Sequence, residues 1–95
     1  MRNYELTFIV PSDVSEEDLA NTVTQVQGWV EGVQGKVVKV DHWGRRRLAY
    51  NISEYREGHY VMFSVELNPQ TTPELERNLK LSGKIMRYLL IRVDE

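Results

Sequence analysis

Two hydrophobic periodicities alternate along this chain of 95 residues, and their order restricts the fold more than any other feature. Where apolar side chains occupy every second position, the pattern predicts a strand with one buried face. Where they recur at intervals of three and four, it predicts an amphipathic helix. The predicted strands cover residues 3–10, 36–52, 59–67 and 85–93. One helix follows the first strand and another follows the third, which gives the order β-α-β-β-α-β.

The predicted helices have recognisable ends. Ser15 is placed to cap the first, and the three carboxylates that follow it lie at the positive end of the helix dipole. Glycines at positions 32 and 35 are expected to close this helix. Thr72 is expected to cap the second helix with Pro73 at its first helical position, and Gly83 is expected to end it.

The element order predicts an α+β fold of the ferredoxin-like kind. With right-handed crossovers, a four-stranded antiparallel sheet forms and carries both helices on one face. The other face of the sheet is left open. Gly44 lies inside the long second strand and predicts a bulge or bend, and residues 53–58 are polar and turn-like. We expect residues 1–95 to form one domain.

Composition excludes several classes of protein. The chain has no cysteine, so it has neither a disulfide framework nor a thiolate metal site. It has no apolar run of about 18 residues, so we expect no membrane span, and we expect no signal peptide before the first strand. The net charge is -2, but residues 1–35 hold one basic and six acidic residues. This asymmetry suggests two surfaces with different partners, or else simple solubility.

An enzyme is a poor interpretation of this sequence. Nucleophilic catalysis needs an activated side chain with a base nearby, and the only histidines, His42 and His59, fall within strands. Neighbouring carboxylates such as Glu16 and Glu17 are typical of charges at the end of a helix. No motif for zinc proteases, nucleotide phosphates or dinucleotides occurs. We expect neither catalytic residues nor a metal or other cofactor.

The segment of residues 43–50, Trp-Gly-Arg-Arg-Arg-Leu-Ala-Tyr, favours nucleic acid, most plausibly RNA. Arginine makes bidentate hydrogen bonds to phosphate and stacks on bases, and the aromatic residue at each end offers further stacking surface. Side chains alternate across a strand, so Arg45 and Arg47 share one side and Arg46 takes the other unless Gly44 bulges. A charged run on a strand is also consistent with simple protection of a sheet edge.

The third strand partly matches the aromatic pattern of RNA-recognition modules, through Arg56 and Tyr60-Val61-x-Phe63. Tyr60 and Phe63 are three residues apart and cannot share a strand face. Stacking of bases on the open sheet is therefore disfavoured, and these aromatic residues are better explained as core or protein interface.

The arginine segment and its surroundings closely resemble the family of bacterial small-subunit ribosomal protein number six. The longest matching motif is Asp41-x-Trp43-Gly44-Arg45-Arg46-x-Leu48-Ala49-Tyr50-x-Ile52. Shorter matches are Met1-Arg2-x-Tyr4-Glu5, Gly58-His59-Tyr60-Val61, Val65-Glu66, Leu75-Glu76 and Ile85-x-Arg87-Tyr88-Leu89-Leu90-Ile91-Arg92. The resemblance covers essentially the whole chain. Family members commonly have Pro where this chain has Asn51, and some carry a long acidic C-terminal tail beyond the point where this sequence ends.

The resemblance implies a ferredoxin-like structural protein of the 30S ribosomal subunit, located on the ribosome in the cytoplasm. It implies binding to the central domain of 16S ribosomal RNA together with the small basic ribosomal protein number eighteen, with no membrane partner and no small-molecule substrate. The candidate RNA-binding residues are Arg2, Arg45, Arg46, Arg47, Arg87 and Arg92. The candidate partner-binding residues are Trp43, Tyr50, Tyr60 and Met62, for which sheet packing is the alternative.

A regulatory metabolite-binding domain is the main alternative, since ferredoxin-like modules host many functions. It requires a glycine-rich turn at the sheet edge and leaves the arginine run unexplained. A small phosphate-ester hydrolase is a second alternative, but residues 11–15 are not the glycine loop that would hold its arginine.

Overall fold

The predicted order of elements is present in the computed structural model, which describes residues 1–52 and 54–93. The strands are β1 (Arg2–Pro11), β2 (Lys36–Ile52), β3 (Tyr55–Leu67) and β4 (Arg87–Arg92). The helices are α1 (Glu16–Gly32) and α2 (Thr72–Leu81), and a 3-10 turn at Pro69–Thr71 precedes α2. The strands pair antiparallel in the order β2-β3-β1-β4, which confirms the ferredoxin-like α+β fold.

The core lies between the sheet and the helices, as the period-2 pattern predicts. Its strand residues are Tyr4, Leu6, Phe8 and Val10 from β1 and Val61, Phe63, Val65 and Leu67 from β3. Its helix residues include Val23, Val26 and Val30 from α1 and Leu75 and Leu79 from α2. The rings of Phe8 and Phe63 meet edge to face with their centres 5.3 Å apart, a favourable geometry for two aromatic rings.

Helix α1 begins after Ser15 and ends at Gly32, as predicted, but neither predicted glycine takes the left-handed conformation at its end. The Ser15 hydroxyl oxygen accepts a hydrogen bond from the backbone N–H of Asp18 at 3.1 Å. At the other end, the left-handed conformation that usually falls to glycine is adopted by Gln34, with φ 64°. Gly35 is needed for a different reason, because the chain passes close to β3 there.

Replacing Gly35 with alanine is expected to lower the free energy of unfolding by about 1–3 kcal/mol. An added Cβ would lie 2.5 Å from the Leu67 side chain, 2.9 Å from the Val30 carbonyl oxygen and 3.0 Å from that of Glu66. Two of these atoms belong to the backbone and cannot rotate away. Urea unfolding measures the change. Gly28→Ala is the control, since no atom lies within 4 Å of its Cβ and alanine favours the helix. Equal stability of the two variants would contradict the prediction.

Several predicted boundaries are wrong. The turn predicted over residues 53–58 is shorter, because β3 begins at Tyr55 and pairs there with Ile52. Ser53 lies outside the described residues, and Glu54 has the positive φ of a tight turn, 71°. Helix α2 begins at Thr72, so Thr71 takes the cap position, because the 3-10 turn runs directly into the helix. Strand β4 begins at Arg87, two residues later than predicted.

The bulge predicted at Gly44 is confirmed. The pairing of β2 with β3 shifts register between His42 and Gly44, and Gly44 has φ 82°, a conformation that costs glycine little. The inserted residue is Trp43. The bend therefore falls at the start of the arginine run and sets the direction of the side chains that follow.

Candidate functional site

The β2–β3 hairpin extends past the end of β1 and bends across the sheet. Pairing of β1 with β3 ends at Pro11 and Gly58, so the hairpin beyond this point has only its own two strands. Tyr50 belongs to β2, yet the Arg87 guanidinium carbon of β4 lies 4.8 Å from the centre of its ring. Because β3 and β1 separate β2 from β4, this contact requires the hairpin to cross the end of the sheet.

A small apolar cluster supports this bend. Ile9 and Leu48 are both buried, although they lie outside the main core. Their side chains converge over Gly58, where a Cβ would contact both of them. The hairpin therefore has a hydrophobic anchor on the face of the sheet that carries no helix.

An apolar groove of about 380 Å³ lies on this open face. Trp43 forms one wall and stacks on Tyr60, with ring centres 6.4 Å apart and planes 13° from parallel. Leu89 and Ile91 of β4 form the other wall and remain 57% and 48% exposed. Apolar side chains this exposed are typical of a surface that another molecule covers.

Two guanidinium groups flank the aromatic residues of the groove. Arg46 lies 5.5 Å from the centre of the Trp43 ring, and its Nε donates to the Trp43 carbonyl oxygen at 3.3 Å. Arg87 lines the groove and rests on Tyr50. Attraction between a cation and an aromatic face holds such side chains in a defined direction. The groove thus combines apolar walls with oriented positive charge, and the carboxylate of Glu5 and the hydroxyl of Thr7 on β1 also line it.

Arg45 and Arg47 point to the other side of the hairpin. Residues 45, 46 and 47 pair in turn with residues 59, 58 and 57 of β3, so alternation is kept through the run. Arg45 Nη2 donates to the Ser12 carbonyl oxygen at 3.4 Å, on the side of the β1–α1 turn. The arginine run therefore presents charge on two surfaces of the hairpin.

The other two candidate arginines lie at the far end of the sheet. Arg2 pairs with Leu67 and Arg92 pairs with Tyr4, at the opposite end of β1 from Pro11. Nine residues of extended strand separate the two ends, a distance of roughly 30 Å. The six candidate RNA-binding residues therefore form two separate groups rather than one patch.

Three of the four candidate partner-binding residues come together. Trp43 and Tyr60 stack in the groove, and Tyr50 adjoins it through Arg87. Met62 lies on the same open face, paired with Thr7, but further along β3 and outside the groove lining. Phe63 faces the core, as its spacing from Tyr60 requires.

Two tyrosine hydroxyls bond to carboxylates, and in both cases the tyrosine pKa rises above its ordinary 10.0. Tyr55 donates to Asp13 at 3.0 Å, and this hydrogen bond is the main cause of its raised pKa. Tyr88 donates to Glu76 at 3.0 Å, and burial is the main cause of its raised pKa, with the hydrogen bond second. Ionising either hydroxyl would place two negative charges side by side.

The sequence interpretation missed several residues of this site. Ile9, Leu89 and Ile91 line the groove but were expected only as strand residues. Their pattern did contain a signal, because a last strand apolar on both faces leaves one apolar face outside the core. No local pattern pointed to the bond between Asp13 and Tyr55, which joins positions 42 residues apart.

Comparison with known proteins decides the family. A family model described as Ribosomal protein S6 matches residues 3–92. This chain belongs to the ribosomal protein S6 family. It is accordingly a structural, non-enzymatic protein of the small ribosomal subunit, located on the ribosome in the cytoplasm. Within residues 1–52 and 54–93, neither helix has the length and apolarity needed to cross a bilayer.

Individual family members match over nearly their whole length. Small ribosomal subunit protein bS6 of Moorella thermoacetica is 39% identical over 95 residues, which cover 100% of this chain and 97% of that protein. The bS6 protein of Desulforamulus reducens is 38% identical and both chains are covered completely. The crystal structure of 30S ribosomal protein S6 from Thermotoga maritima superimposes with a TM-score of 0.91 at 33% identity, covering 97% of this chain and 87% of that one. Family membership removes the need for the metabolite-binding alternative.

Proposed function

We propose that this chain binds the central domain of 16S ribosomal RNA together with the small basic ribosomal protein number eighteen. The observation that carries the proposal is the apolar groove with arginines on its border, next to a hairpin that directs further arginines away from it. One surface suits a protein partner and the other suits a phosphate backbone.

The charge of the chain supports assembly with a basic partner. A protein of net charge -2 has little long-range attraction for a polyanion, and RNA affinity requires several cations on phosphates. A basic partner supplies these cations. The acidic first third of this chain, which includes Glu5 in the lining of the groove, provides complementary charge for recruiting it.

The proposed roles follow the two directions of the arginine run. Arg45 and Arg47 contact phosphate and sugar, while Arg46 and Arg87 border the groove that receives the partner protein. Trp43, Tyr50 and Tyr60 supply the apolar contact, with Met62 at its margin. Arg2 and Arg92 make a second RNA contact at the far end of the sheet. Contacts of this kind position a protein on folded RNA without reading base sequence.

We expect tight binding to a central-domain fragment of 16S ribosomal RNA only when the basic partner is present, with affinity falling steeply as salt rises. Filter binding or fluorescence anisotropy across a salt series measures both effects. Arg47→Ala is expected to lower the slope of log affinity against log salt by about 1, because one phosphate contact is lost. Arg77→Ala is the matched control, since it removes the same charge from the exposed surface of α2.

Three outcomes of this series oppose the proposal in different ways. Equal slopes for Arg47→Ala and Arg77→Ala would remove Arg47 from the RNA contacts. Tight binding without the partner would give this chain an RNA site of its own and contradict joint binding. Absence of binding under all conditions would refute the proposed RNA partner altogether.

A further inference from the structure

The outer part of the β2–β3 hairpin has little support from the sheet. Beyond the pair of Pro11 and Gly58 it consists of two strands, and an isolated two-stranded hairpin is only marginally stable in water. This part carries Arg47 and Tyr50, two residues that the proposed function requires in defined positions. Something other than strand pairing must therefore hold it across the end of the sheet.

Two side-chain hydrogen bonds fasten the hairpin to one short turn between β1 and α1, one from Tyr55 in the outer part and one from Arg45 just inside it. The Tyr55 hydroxyl donates to Asp13 Oδ2 at 3.0 Å, and Arg45 Nη2 donates to the Ser12 carbonyl oxygen at 3.4 Å. Both acceptors belong to neighbouring residues, although the donors lie on different strands. The first bond is the shorter and is charge-assisted, so it is the stronger tether.

The tether and the anchor described above act on opposite sides of the hairpin. Leu48 and Ile9 both lie over Gly58 on the open face, whereas Arg45 and Tyr55 reach the β1–α1 turn. A hairpin that is held on both faces has little freedom to move relative to the sheet. That constraint is what allows Tyr50 to remain against Arg87 on β4.

We propose that Asp13 and Tyr55 are positioning residues, which hold the arginine-bearing hairpin in its binding direction before RNA and partner arrive. The proposal rests on the proposed function in that it concerns the same arginines. Its physical basis is preorganisation: a hairpin that is already ordered loses less conformational freedom on binding. Neither residue needs to touch RNA or partner for this role.

The test is Tyr55→Phe, which removes one hydroxyl and keeps the ring. We expect amide hydrogen exchange at residues 47–52 and 54–57 to become roughly three- to tenfold faster in the isolated chain. Binding to the RNA fragment and partner protein is expected to weaken by a similar factor, with the salt slope unchanged. For the exchange measurement, Tyr88→Phe is the matched control, because it removes the same kind of bond, a tyrosine hydroxyl on a carboxylate at 3.0 Å, between β4 and α2 instead of at the hairpin.

A second pair of variants separates positioning from general stability. Asp13→Asn keeps an oxygen that accepts from Tyr55 but loses the charge that strengthens the bond, so its binding is expected to fall between that of the native chain and that of Asp13→Ala, which is expected to match Tyr55→Phe. Hairpin exchange that is the same in Tyr55→Phe and Tyr88→Phe overturns the proposal. Faster exchange with unchanged binding overturns the positioning role. If the native chain fails to bind RNA with its partner, the proposed function fails, and the exchange rates still decide whether the tether orders the hairpin.

Discussion

Replacing Phe63 with alanine is expected to lower the free energy of unfolding by about 3–5 kcal/mol. Phe63 lies in the middle of β3, is fully buried and packs edge to face against Phe8. Removing its ring leaves a cavity between the sheet and the helices and deprives Phe8 of its aromatic partner. Because a domain of this size has a total stability of about 5–15 kcal/mol, the loss is a large part of the whole. Urea unfolding followed by circular dichroism measures it.

Phe63→Leu is the control for this variant. Leucine keeps most of the apolar volume and is expected to cost less than about 1.5 kcal/mol. A loss below about 1 kcal/mol for Phe63→Ala would mean that the core collapses around the missing ring. The observed edge-to-face pair would then contribute little to stability.

Replacing Trp43 with alanine is expected to weaken binding of the small basic ribosomal protein number eighteen by about 30- to 1,000-fold, or about 2–4 kcal/mol. Trp43 forms one wall of the groove, stacks on Tyr60 and lies close to the Arg46 guanidinium. Its removal destroys the wall and takes away the ring beside the Arg46 guanidinium, while the hydrogen bond from Arg46 to the backbone carbonyl oxygen of residue 43 remains possible. Isothermal titration calorimetry of the two purified proteins measures the change. The fold is expected to survive, because Trp43 is 43% exposed and lies outside the core.

The matched control is Val38→Ala. Val38 is also an exposed apolar residue of β2, at a second irregularity in the pairing with β3, and it does not line the groove. We expect its affinity for the partner to change by less than about threefold, as for a typical surface residue. Similar losses for Trp43→Ala and Val38→Ala would mean that the partner does not use the groove.

The fold could be predicted almost completely because its determinants are local. Alternation at Tyr4, Leu6, Phe8 and Val10 set the buried face of β1, and Ser15 set the start of α1. The predicted element boundaries were wrong where tertiary contacts override the local composition. Residues 55–58 are polar enough for a turn, yet they form a strand because β2 supplies a partner across the hairpin. Gln34 takes a conformation typical of glycine, and Gly35 lies where the chain passes close to β3.

The candidate site could be predicted only in part. Residue types at positions 43–50 pointed to RNA and to protein contact, and the bulge at Gly44 could be foreseen. The arrangement of these residues in the site depends on the hairpin crossing the end of the sheet. The spacing of residues along the chain does not reveal this crossing. The contact of Tyr50 with Arg87 and the bond of Tyr55 with Asp13 join distant positions. Neither could be derived before the fold was known.

Because β4 is an edge strand, the groove is complete only while β4 stays paired with the sheet. One wall of the groove belongs to β4, a six-residue edge strand that pairs with β1. Such a strand can open locally while the rest of the domain stays folded, and the groove then loses Leu89 and Ile91 together. Under the proposed function, only molecules with β4 in place bind the partner protein in the groove, so apparent affinity scales with that fraction. By thermodynamic linkage, a molecule that binds in the groove also stabilises the pairing of β4 with β1.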